Sequence, residues 1–100
     1  MQAQIEDTLR NVMATAVRPE RGIGCGRIYV AISDKDQAKM VGKAAKKLGL
    51  IFLKKSNYGT SNAIYIGYDN CDGIALAKGT AVAKALNAIG VVCHRDEVAD

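Results

Sequence analysis

Residues 27–55 read RIYVAISDKDQAKMVGKAAKKLGLIFLKK, and two hydrophobic periods follow one another within them. In the first seven residues, Ile28, Val30 and Ile32 occupy alternate positions, which is the period of a strand with one buried face. From residue 34 onwards the apolar residues recur every three or four positions, which is the period of an amphipathic helix. The segment therefore predicts a strand over 27–33 and a helix over 34–48.

Both ends of this helix carry sequence signals. Ser33 and Asp36 have the spacing of a capping box, in which two side chains bind backbone N–H groups at a helix start. Gly49 follows the last apolar position, and glycine is common where a helix ends in a left-handed turn. The residues LIFLK at 50–54 then predict a second strand, and residues 57–60 predict a turn.

The rest of the chain repeats this order. A strand pattern over 62–68 is followed by a helical pattern over 73–89, by Gly90 and by an apolar run at 91–93. Two strand–helix–strand units in succession are typical of the ferredoxin-like βαββαβ fold, an α+β class. Right-handed crossovers then predict a four-stranded antiparallel sheet with both helices on one face and strands 27–33 and 62–68 at its centre.

An additional amphipathic helix is predicted before this core, over residues 1–18. Its apolar positions recur at helical spacing, and Pro19 disfavours helix in the residue before it (the apolar positions are Ile5, Leu9, Val12 and Met13). We expect this apolar side to be buried on the open face of the sheet or against a second copy in a homodimer. The single domain then comprises this helix, a glycine-rich connector over 19–26, the core over 27–95 and a polar tail over 96–100.

Length and composition limit the classes of protein to consider. One hundred residues with 49% hydrophobic content are enough for one folded domain. No apolar run approaches the ~18 residues that a membrane span needs, so no membrane partner is expected. The three cysteines are odd in number and widely spaced, which predicts reduced thiols and a cytoplasmic protein (Cys25, Cys71 and Cys93).

Charge is distributed unevenly along the chain. Six lysines and no acidic residue lie between Gln37 and Tyr68, whereas the remainder of the chain has eight basic and ten acidic residues. Lysines keep helix faces hydrated and protect edge strands, but a surface that serves solubility normally mixes both signs of charge. A run of phosphates offers each lysine a partner. The residues predicted to contact it are Lys39, Lys43, Lys46, Lys47, Lys54, Lys55 and Tyr58.

Two tyrosines form a second candidate site. If the isoleucines of strands 27–33 and 62–68 face the helices, Tyr29 and Tyr65 face away from them on neighbouring strands, where Phe52 could join them. The order apolar–aromatic–apolar at 28–30 resembles the first strand of the RNA recognition motif, a resemblance that implies base stacking on these rings. The strand over 62–68 departs from that family, because it lacks the basic–glycine opening and has Ala63 where an aromatic residue is expected.

No catalytic, metal or cofactor motif is predicted. His94 is the single histidine and has no second ligand at zinc-site spacing, and the aspartates near the two helix starts fit a capping role. We therefore expect a non-enzymatic module without a cofactor, which contacts phosphates of DNA or RNA largely without sequence specificity. The alternative is a protein-interaction module, an inhibitor or adaptor, whose lysine side binds an acidic protein surface.

Overall fold

The computed structural model describes residues 1–21, 25–55 and 60–99. Residues 22–24 of the predicted connector, residues 57–59 of the predicted turn, with Tyr58, and residue 100 lie outside this part of the chain. No helix of the described residues is long and apolar enough to cross a membrane. The elements in order are α1 (Gln2–Ala14), β1 (Gly26–Ile32), α2 (Lys35–Lys47), β2 (Ile51–Lys55), β3 (Ser61–Asp69), α3 (Ile74–Ala88) and β4 (Cys93–Ala99).

The four strands form one antiparallel sheet in the order β2-β3-β1-β4. The two similar strands, β1 and β3, are therefore adjacent and central, with Val30 opposite Ile64. Both α2 and α3 pack on the same side of the sheet, where their apolar residues share one core with those of the strands. The predicted ferredoxin-like arrangement is confirmed.

The two faces of the sheet carry different residues because side chains alternate along each strand. Val30, Ile32 and Ile64 are buried against the helices, whereas Tyr29 lies on the other side in a smaller cluster with Ala31 and Ala63. The prediction for Phe52 was wrong. Its register opposite Ile64 places it on the helix side.

Helix α1 lies on the two other helices and not on the open face of the sheet. Ile5 and Leu9 are fully buried in the main core, and Val12 and Met13 are partly buried at its margin. The backbone of α1 lies close to α2 and α3 and not to the described strands. The expected burial is confirmed for Ile5 and Leu9 but only in part for Val12 and Met13. The expected location was wrong, because α2 and α3 bury this side within one chain.

Helix α1 ends at Ala14, four residues before the predicted end. Thr15 has an extended conformation, with φ −83° and ψ 133°, and its hydroxyl donates to the carbonyl of Asn11 at 2.8 Å. The ammonium group of Lys78, on α3, donates to the carbonyl oxygens of Val12 (3.1 Å) and Met13 (3.3 Å), and also to that of Thr15. A cation at a helix C-terminus is favourable, so Lys78 fixes this end of α1 to α3.

Side chains of aspartate residues bind the starts of α2 and α3. Asp34 accepts a hydrogen bond from the N–H of Gln37 at 2.9 Å, so Asp34 is the N-cap, not the predicted pair of Ser33 and Asp36. Asp69 is buried and accepts from the N–H groups of Leu76 (2.9 Å) and Gly73 (3.0 Å). These bonds, first that from Leu76, hold the pKa of the Asp69 carboxyl below its usual range, while burial acts in the opposite direction.

A disulfide joins Cys25 to Cys71, which are 46 positions apart in sequence and have 4.6 Å between their Cα atoms. The prediction of reduced thiols was wrong for this pair. Gly26 lies opposite Asp69 in the β1–β3 ladder, so strand pairing brings together two cysteines that are far apart in sequence. Cys93 remains a buried free thiol, and burial raises its pKa to about 11.

The prediction of the last strand at 91–93 was wrong in its bounds, because β4 begins at Cys93 and includes most of the predicted polar tail. Residues 93–99 pair along the whole length of β1, from Ile32 opposite Cys93 to Gly26 opposite Ala99. Because β4 is an edge strand, its polar side chains can reach water while its backbone completes the ladder. The hydrophobic pattern alone therefore does not indicate the extent of this strand.

Candidate polyanion-binding surface

Helix α2 presents its lysines between two neighbouring elements. On one flank, a Cβ at Gly42 would lie 3.2 Å from the ring of Phe52, so β2 borders this side. On the other flank, the side-chain amide of Gln2 donates to the carbonyl of Met40 at 2.9 Å, so α1 borders that side. At about 100° per residue, Lys39, Lys43 and Lys46 fall within about 60° of arc between these two borders.

The three lysines are exposed and follow one another along the helix axis. A rise of about 1.5 Å per residue separates Lys39 from Lys43 by about 6 Å and Lys43 from Lys46 by about 4.5 Å. None of them takes part in an ion pair between described residues. They form a short row of unneutralised positive charge. Asp36, one turn before Lys39, is the last acidic residue before the stretch of sequence that has none.

Lys54 extends this row onto the neighbouring strand. It is exposed and lies two residues after Phe52, on the same face of β2 and about 7 Å further along the strand. Because the chain reverses between α2 and β2, this advance is directed towards the start of the helix, the end that carries Lys39. We call Lys39, Lys43, Lys46 and Lys54 the basic surface.

The other two predicted lysines lie elsewhere. Lys47 forms an ion pair with Glu6 of α1, with 3.0 Å between Nζ and Oε1. Lys55 pairs with Ser61 and shares the open face of the sheet with Leu53. Sequence reasoning did not include Lys35, which is exposed one turn before Lys39. Its position on the wheel could have indicated it, but Asp34 and Asp36 flank it.

The tyrosine pair lies on the opposite side of the sheet from the basic surface. The ring centroids of Tyr29 and Tyr65 are 5.4 Å apart, and the ring planes are inclined by 56°. Tyr29 is 2% exposed and Tyr65 is half-buried. The hydroxyl of Thr60, which is itself buried, donates to Asp96 on β4 at 3.0 Å, so Thr60 lies on this face of the sheet. A base has no access to the Tyr29 ring in this conformation.

Three acidic residues lie at the other edge of the sheet, namely Glu20, Asp96 and Glu97. Arg95, on β4, forms ion pairs with Glu20 and with Glu97, each at 2.8 Å. The hydrogen bond from Arg95, followed by one from Thr80, lowers the pKa of Glu20. Since β2 and β4 are opposite edges, these acids lie away from Lys54, whereas Asp34 and Asp36 lie at the start of α2.

The described residues show few features other than charge from which a ligand could be inferred. They contain no group of three or more His, Cys, Asp or Glu residues placed to hold a metal ion. Comparison with known proteins gives no relative from which to infer a function, because no protein family, curated protein or solved structure matches the chain significantly. The basic surface is therefore the feature from which we infer a function.

Proposed function

We propose that this chain is a small binding module whose basic surface contacts the phosphates of DNA or RNA, largely without sequence specificity. The observation that carries the proposal is the row of four exposed lysines on α2 and β2 that have no acidic partner among the described residues. Lysines neutralise phosphates and release condensed counterions, which supplies most of the affinity in sequence-independent binding. Point charges without base-reading side chains position a protein on a backbone but do not specify sequence.

The test is a charge-matched pair of triple variants. The first replaces the three lysines of the α2 row by glutamine, and the second replaces three exposed lysines outside the basic surface (Lys47, Lys55 and Lys84). Each variant lowers the net charge of +4 by the same three charges. Exposed charges contribute little to stability, so both variants should fold and melt like the parent protein.

We expect the two variants to differ in their salt dependence. Loss of three phosphate contacts lowers the slope of log K against log salt by about 2.7 on duplex DNA, and the second variant keeps the parent slope. Equal loss in both variants would show that net charge, not this surface, determines binding. If the parent protein has no affinity for DNA or RNA at ~50 mM salt, an acidic protein surface becomes the favoured partner.

The Cys25–Cys71 disulfide removes the main reason for predicting a cytoplasmic location from the sequence. That prediction depended on reduced thiols, and disulfides such as Cys25–Cys71 persist mainly in oxidising compartments. The charge argument for phosphate binding is independent of compartment. A count of free thiols in protein purified from its natural source would decide between a reducing and an oxidising location.

A further inference from the structure

Among the described residues, the exposed aromatic side chain, Tyr68, lies on the open face of the sheet, whereas the basic surface lies on the helix side. We propose that its ligand is double-stranded nucleic acid, bound along the phosphate backbone without base stacking. This inference rests on the proposed function and narrows it to one class of nucleic acid.

Single-stranded nucleic acid is usually held by aromatic rings on which successive bases stack, combined with a charged groove. No aromatic ring of the described residues is available for this on the basic surface. Phe52, the nearest, packs in the core with its ring against Gly42. Tyr65 and the 41% exposed Tyr68 lie on the open face of the sheet, on the far side from α2. A strand that contacted the lysines could not reach these rings at the same time.

The charge density of a duplex suits this surface better. The row from Lys39 to Lys46 spans about 10.5 Å along α2. A duplex carries one negative charge per ~1.7 Å of axis, so it presents about six phosphates over this length. A stacked single strand carries one per ~3.4 Å and presents about three. A helix surface that has lysines but no stacking ring among the described residues therefore gains more from a duplex.

The salt dependence gives the expected size of the preference. With four lysines in contact, the slope of log K against log salt is about −3.6 for a duplex and about −2.8 for a single strand. If the two affinities converge near 1 M salt, where the counterion contribution vanishes, this difference predicts about tenfold tighter duplex binding at ~50 mM salt.

The experiment uses the full chain and two probes with the same fluorophore, a mixed-sequence DNA duplex and an oligo(dT) strand of equal length. Binding is measured by anisotropy at several salt concentrations for the parent protein and for Tyr65→Ala and Tyr68→Ala. We expect the duplex to bind about tenfold tighter at ~50 mM salt, with both tyrosine variants unchanged on either probe.

Two results would overturn the inference while leaving the proposed function intact. One is single-strand binding as tight as duplex binding, and the other is a loss of affinity in either tyrosine variant. Binding of neither probe would instead refute the proposed function, so the two failures are distinguishable.

Discussion

Removal of the Cys25–Cys71 disulfide should destabilise the domain by about 4 kcal/mol. The bond closes a loop of 46 positions, and the loop-closure relation for the unfolded chain gives an entropy near 13.5 cal/mol/K, or about 4 kcal/mol at 25 °C. The double variant Cys25→Ala with Cys71→Ala removes the bond with little change in packing, because Cys71 is exposed and Cys25 only half-buried. Residue 71 keeps its positive φ of 64° in either form, so backbone strain cancels in the comparison.

The assay is urea unfolding followed by circular dichroism on the oxidised parent protein and on the double variant. A loss of about 4 kcal/mol corresponds to a fall of about 15–30 °C in melting temperature for a domain of this size. As a control, a reductant should lower the stability of the parent but not that of the double variant, since Cys93 is unpaired. The reasoning fails if denatured, air-oxidised parent protein shows three reactive thiols, or if the two proteins differ by less than ~1 kcal/mol.

Two further predictions concern α1 and α3. Leu9→Ala should cost about 3–5 kcal/mol because Leu9 is fully buried between α1 and the other helices. The exposed control Gln4→Ala should cost less than ~0.5 kcal/mol, and equal urea midpoints for the two variants would mean that α1 is not part of the core. Because the folded pKa of Asp69 is lowered, its contribution to stability is complete above its unfolded pKa of ~4 and is lost as pH falls through the folded value. Asp69→Asn should therefore flatten the stability profile below about pH 4, and an unchanged acid profile would contradict this.

The central sheet could be predicted because the information is local and repeated. Each half of the chain has an alternating strand, an amphipathic helix and a glycine at the helix end. Gly49 and Gly90 both adopt positive φ, 75° and 93°, as this turn requires. Agreement between strand period, helix period and turn residues leaves few alternative topologies.

The position of α1 could not be predicted in the same way. An amphipathic pattern indicates that Ile5 and Leu9 are buried, but it does not indicate which other residues bury them. The surface that accepts them is formed by α2 and α3, and it exists only after those helices have packed. The Cys25–Cys71 disulfide could not be predicted for a similar reason. The two cysteines are far apart in sequence, and only the pairing of β1 with β3 brings them together.

The candidate site was predicted in part. A helical wheel gives the direction of each lysine around α2 but not the neighbours on either flank. It therefore grouped Lys47 with Lys43, although Glu6 of α1 neutralises Lys47. Alternation along β2 could have separated Lys54 from Lys55, since adjacent residues of a strand face opposite sides of a sheet.

The packing of α1 determines where a label or a surface linkage can be attached for binding measurements. Met1 is half exposed, and the neighbouring Gln2 is hydrogen-bonded to Met40, one residue from Lys39. A fluorophore at residue 1 would therefore lie beside the basic surface, where it reports ligand contact but also obstructs it. Attachment after Ala99, at the end of β4 on the opposite edge of the sheet, leaves that surface free for immobilised measurements.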